Sequence, residues 1–231
     1  MLGTQWVLGG WQVASETHEQ MRIGDLASRQ TTPTPYAAYA IYATTAVVLV
    51  ISAWPALQLA PADHIGLLLR ITARLAFALL LLAYIARPLA QLLGGVAQPV
   101  TRQLIRQRRH LGLSMAAVHT IHFGYVVAYL QHSGEALATI VAVFGGLAFV
   151  LMWLMAATSN QAARRRLGTN WQRLHRFGMH YLWLIFMQTF VGVAQSEAAS
   201  PLYYALVGAG FLALGLRISA YFFGTKSGTK A

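Results

Sequence analysis

RRHLGLSMAAVHTIHFGYVVAYL, residues 108–130, sets His119 and His122 three residues apart in an otherwise apolar run, and RLHRFGMHYLWLIF, residues 173–186, carries His175 and His180. An imidazole among apolar side chains must find partners for its ring nitrogens inside the protein. A carbonyl on a neighbouring helix is one solution for His122. Metal ligation is the other, and a haem iron takes one nitrogen while its macrocycle buries a large apolar area between helices. The propionates of a b-type haem call for cationic partners. Arg70 and Arg74 lie about one and two turns inside an apolar stretch, a depth at which a cation either snorkels or serves a site. Snorkelling suffices for Arg70; Arg74 is too deep for it to be the simple answer. The chain has no cysteine, which excludes disulfides, iron–sulfur clusters and thiolate chemistry.

The elements that position these residues read as membrane helices. Of the 231 residues 57% are hydrophobic and only 10% charged, against about 25% charged in ordinary soluble domains. Six stretches reach the roughly 20 apolar residues that a bilayer requires: about 36–60, 65–87, 110–131, 136–157, 176–195 and 201–223. Three connections, near residues 61, 131 and 195, are short, and each holds one acid and no arginine or lysine. The other two hold Arg87, Arg102, Arg106, Arg108 and Arg109, and Arg164, Arg165, Arg166, Arg173 and Arg176. The positive-inside rule puts these two, and both termini, in the cytoplasm.

The predicted fold is therefore all-α, a polytopic six-transmembrane-helix bundle of the bacterial cytoplasmic (inner) membrane. It has a cytoplasmic N-terminal tail over residues 1–35, the bundle over 36–223 and a C-terminal tail over 224–231. The tail does not read as a cleaved signal peptide, and its Trp6 and Trp11 suit the headgroup level. The formal charge of +11 is absorbed by topology, so no nucleic-acid partner is expected. No nucleotide-binding or zinc-protease motif is present.

Read together, the two histidine segments carry a family resemblance. RRHLGLSMAAVHTIH resembles the span-three signature, and RRRLGTNWQRLHR the span-five signature, of the ferric reductase-like transmembrane domain family. TARLAFALLLLAYIARPL and PLYYALVGAGFLALGLR extend the likeness to roughly residues 60–220. The resemblance implies a six-helix bundle with b-type haem on spans three and five, passing electrons across the membrane. On it, His122 matches the span-three haem ligand, His175 the histidine of the LHR motif, and Arg108 with Arg109 the span-three arginine pair.

One position departs from the pattern. The second span-five histidine of the family follows the LHR histidine by about 13 residues, where this chain has Gln188. An outer haem would then be held by His122 alone, five-coordinate, or be absent. A shifted register would use HYLW at residues 180–183 instead, at the cost of shortening the span. His119, His180 and His110 are then spare, His110 facing solvent or phosphate headgroups. His64, His18 and His132 fall in loops or the tail.

The cofactor-binding candidates are thus His122, His175, Gln188, Arg108 and Arg74, with His122 and His175 as iron ligands. The function expected is a membrane haem b protein, with one or two haems, relaying electrons as the transmembrane part of a reductase system. Its donor would be a separate cytoplasmic flavin reductase or membrane quinol, and its acceptor a periplasmic protein or small molecule. The competing expectation is a haem-less member acting as scaffold or small-solute permease.

Overall fold

The computed structural model describes residues 35–54, 61–93 and 98–223. They form six helices: α1 (Pro35–Ala53), α2 (Pro61–Leu93), α3 (Gln98–Ser133), α4 (Thr139–Ala157), α5 (Gln161–Ala194) and α6 (Pro201–Phe223). No strand occurs among the described residues. The all-α membrane bundle expected from composition is what forms. Helices α2 to α6 are each long and apolar enough to cross a bilayer, whereas the apolar stretch of α1, Tyr36–Ile51, is shorter. Residues 55–60 of the predicted first span, the tail with His18, Trp6 and Trp11, and residues 224–231 lie outside the described residues.

From Ala38 onward the chain makes one compact unit. Its axis is α2, which packs on α3, α5 and α6, while α4 packs on α3 and α5, and α5 on α6. Ala76, Phe77, Leu80 and Tyr84 of α2 are wholly buried, because neighbours surround this helix instead of lipid. Helix α3 runs antiparallel to α2, with Thr72 meeting His122 and Ala83 meeting Arg108. Helix α6 runs parallel to α2, so Arg74 meets Tyr203 and Tyr84 meets Arg217. Asp63, Glu135 and Glu197 therefore mark one end of the bundle and the arginines the other.

The basic connections are mostly helix, which corrects the loop assignment. Arg102 to Arg109 stand in the first turns of α3, and Arg164 to Arg176 on α5. Arginine has nearly the helix propensity of alanine, and its long stem follows the apolar surface while the head stays wet. His64 and His132 likewise sit in terminal helical turns. Helix α5 begins with Asn160 accepting the amide of Ala163 at 2.7 Å. It then breaks at Gly168, whose φ of 50° favours a residue without Cβ.

Pro88 lies inside α2. Proline has no N–H to give the carbonyl four residues earlier, that of Tyr84. Arg217 Nη1 donates to that carbonyl at 3.5 Å, and Arg108 Nε donates to the adjacent Ala83 carbonyl at 2.9 Å. Two arginines from flanking helices thus take up backbone acceptors that a membrane interior cannot solvate.

Candidate functional site

The imidazoles of His119 and His122 stack with ring centroids 5.2 Å apart and planes 17° from parallel. Two neighbouring positions on one helical face give that arrangement when both side chains turn inward. His122 Nδ1 lies 3.0 Å from Thr72 Oγ1 on α2. His119 packs 5.1 Å from the ring of Phe186 on α5, and its buried Nδ1 has no hydrogen-bond partner. Phe77 of α2 touches both Phe186, at 5.4 Å, and Phe190, at 4.8 Å, closing the aromatic floor.

Helices α3 and α5 do not touch through their backbones: no Cα of one comes within 8 Å of a Cα of the other. Helices in direct contact pack with axes about 8–10 Å apart, so α3 and α5 meet only through side chains, His119 on one and Phe186 on the other.

His175 and His180 lie toward the arginine-rich end. His175 Nδ1 donates to the Trp171 carbonyl at 3.1 Å, and the two rings stack at 4.1 Å. Trp171 is itself fixed by its Nε1 donating to the Thr158 carbonyl at 2.9 Å and by Arg164, 5.5 Å from its ring. His180 Nδ1 is bonded to Tyr84 Oη at 2.8 Å. Arg217 lies 4.4 Å over the Tyr84 ring and Trp183 stacks on it at 6.5 Å. Spacing along one helix gives the levels: Phe186, opposite His119, is eleven residues past His175, about 16 Å along the axis. His122 and His175 therefore stand at two levels, not on one shared iron.

The other predicted residues fare differently. Gln188 is exposed; Phe186, about three turns beyond His175 and so on its face, packs against His119. Arg74 Nη2 donates to Tyr203 Oη at 3.1 Å with its guanidinium 5.0 Å from that ring. Positions 72 and 74 differ by about 200° around a helix, so Arg74 faces α6 while Thr72 faces the histidines. Arg108 is bonded to the Ala83 carbonyl, as above. Arg70 is exposed, its Nη2 lying 3.8 Å from where a side chain on Gly66 would begin, one turn toward the acidic end, the posture of a snorkelling cation. His110 is paired with Tyr42 Oη of α1 at 2.9 Å, not left to solvent.

Sequence reasoning passed over Thr72, Tyr84, Phe186 and Arg217. Thr72 had a weak signal as a hydroxyl in a leucine-rich span; the others had none before their partners were known.

Residues 72–187 match the family model described as "Ferric reductase like transmembrane component", just over half of the 231 residues. The chain belongs to the ferric reductase-like transmembrane family. The segment shared with this family opens at Thr72 and takes in His119, His122, His175, His180 and Phe186, so it encloses the whole interval between α3 and α5. Gln188, Tyr203 and Arg217 fall outside it.

Among curated relatives, "Protein-methionine-sulfoxide reductase heme-binding subunit MsrQ" of Klebsiella pneumoniae subsp. pneumoniae is 33% identical over 156 residues, covering 61% of this chain and 70% of that one. The protein of that name from Cronobacter sakazakii is 33% identical over 129 residues, 49% of this chain and 62% of its own length. The one from an Enterobacter species is 31% identical over 157 residues, 62% and 71% respectively. No solved structure matches.

Proposed function

We propose that this chain is the haem b-carrying transmembrane part of a reductase system, passing electrons across the bacterial cytoplasmic membrane from its arginine-rich, cytoplasmic side. One observation carries the reading: two stacked imidazoles on α3, one with a buried Nδ1 that has no hydrogen-bond partner, meet α5 through side-chain contacts alone. A buried polar atom without a partner is costly in a membrane protein and marks a place built for something else. A bare metal ion fits poorly, since among the described residues no three His, Cys, Asp or Glu side chains converge. An iron held in its own macrocycle needs only one or two protein ligands, and the residues present fit that. The names of the MsrQ relatives, heme-binding subunits, support the same cofactor.

In this reading His122 is the ligand at the outer level and His175 offers a second, inner position, with the Trp171 carbonyl orienting its ring. When bound, haem supplies reversible one-electron chemistry. The chain supplies a dry bundle, fixed imidazoles and aromatic walls. Arg108 keeps donors beyond its bond to the Ala83 carbonyl for a propionate, while Arg74 is turned to Tyr203 of α6. The donor is a separate cytoplasmic flavin reductase or a membrane quinol, and the acceptor a periplasmic protein or small molecule.

A haem-less scaffold or permease is the second reading, favoured by Phe186, which stands against His119 where a second ligand would be. A pyridine haemochrome assay on detergent-purified protein from haem-replete cells separates the two. Protohaem in stoichiometric amount, lost in His122→Ala, is expected; colourless protein overturns the haem reading and leaves the scaffold.

A further inference from the structure

Thr72 Oγ1 makes three close approaches: 2.7 Å to the Leu68 carbonyl, 3.2 Å to the Leu69 carbonyl and 3.0 Å to His122 Nδ1. A hydroxyl has one hydrogen and a carbonyl can only accept. The hydrogen of Thr72 is therefore committed to its own helix, toward Leu68. What remains toward His122 is a lone pair, and the approach at 3.0 Å is a bond only if His122 Nδ1 carries the proton. A neutral imidazole protonated at Nδ1 has its lone pair at Nε2.

His119 has no such anchor. Its Nδ1 is buried without a partner, and its ring is located by stacking on His122 and Phe186 alone. Of two nearly parallel imidazoles one turn apart, only that of His122 has its Nδ1 anchored.

Resting on the haem reading above, we infer that Thr72 is the positioning residue that decides which imidazole of the α3 pair ligates, and through which nitrogen: His122, through Nε2. It does so by holding the Nδ1–H as a donor, which fixes ring orientation and raises the basicity of the ligating nitrogen. Thr72 never touches the iron.

The test uses the full chain as purified with its haem. Thr72→Val keeps the shape and removes the acceptor. A less basic Nε2 stabilises ferric iron less, so the midpoint potential moves positive, the iron–histidine stretch falls in frequency, and haem is retained on the order of tenfold less tightly. Thr72→Ser restores all three. Selection between the rings is read by a second variant: adding His119→Ala changes the spectrum of Thr72→Val, where the rings have become interchangeable, more than it changes that of the wild type. If Thr72→Val does not accumulate, Thr72→Ala removes the same acceptor with less bulk, and potential and stretch are read on it.

If the haem is held by His122 yet Thr72→Val and Thr72→Ala keep the wild-type potential and stretch, the inference is overturned and the haem reading stands. If the wild type carries no haem, both fall together. A shift in Thr72→Val that Thr72→Ser fails to reverse overturns it too, since the hydroxyl is then not the cause.

Discussion

The two ends of the bundle treat their histidines differently. Toward the arginine-rich end, His175 gives its Nδ1–H to the Trp171 carbonyl and stacks on the same residue, and His180 is bonded to the buried Tyr84 hydroxyl. These rings are built into the scaffold. Toward the acidic end, His122 is tied at one nitrogen to Thr72, while His119 keeps a buried nitrogen with no partner at all. Folding alone does not complete the outer pair. A satisfied polar network rigidifies a core, and an unsatisfied one is an expense tolerated where function requires it. The lesson is that folding alone fixes the rings of His175 and His180 but leaves the outer pair incomplete, and only the hydrogen bonds show the difference.

The largest effect expected is the sharpest break between the two levels. His122→Ala should remove most of the haem absorbance, while His180→Ala, which cuts only the bond to Tyr84, should leave the spectrum at the outer level intact. Optical spectra of the two variants at equal protein concentration decide it. Equal losses would erase the distinction.

Next in size is a change of coordination without loss of cofactor. Phe186 occupies the wall opposite His119, whereas Gln188 is turned outward. Phe186→His should therefore convert a five-coordinate spectrum to a six-coordinate one, and Gln188→His should change nothing. The reverse pattern would restore the sequence register and show that α5 is rotated from the orientation described here.

A third comparison concerns the arginines. Arg108 and Arg217 donate to the Ala83 and Tyr84 carbonyls beside Pro88. Arg108→Met keeps the stem and removes the hydrogen bond that a charged guanidinium gives the Ala83 carbonyl, a loss of about 1.5–3 kcal/mol. For a chain of this length that is roughly 3–12 °C in the midpoint of thermal unfolding. Arg70→Met, at an exposed snorkelling position, should move it by less than about 2 °C, within the usual ±0.5 kcal/mol of surface changes. The two melting curves in one detergent are the measurement, and equal shifts would mean that Arg108 serves only as a surface charge.

These contrasts show where the sequence was legible. Membrane class, helix order and the histidine-bearing spans follow from composition and spacing, because a bilayer imposes length and hydropathy on each segment separately. The chain's own pattern also singled out His122 and Arg74. What stayed hidden depends on rotation and pairing between helices: about 100° of turn per residue puts positions two apart, such as Phe186 and Gln188, on different faces. The bond from Arg108 to the Ala83 carbonyl was hidden because it joins two helices at positions twenty-five residues apart. Thr72 mattered only once His122 was seen beside it.

The smallest effect tests whether the arginine-rich cluster is scaffold alone. Tyr84→Phe deletes one hydroxyl, the partner of His180 Nδ1 at 2.8 Å, and keeps the ring under Arg217 and against Trp183. A hydrogen bond between membrane helices contributes on average about 0.6 kcal/mol, because the separated helices find other partners. The ring packing persists, so the midpoint should fall by only about 1–3 °C. The haem spectrum and potential should not move, since no step of the outer site depends on that hydroxyl. A shifted potential with unchanged stability would place Tyr84 and His180 in electrical contact with the cofactor, and the division between a finished inner cluster and an unfinished outer one would then be wrong.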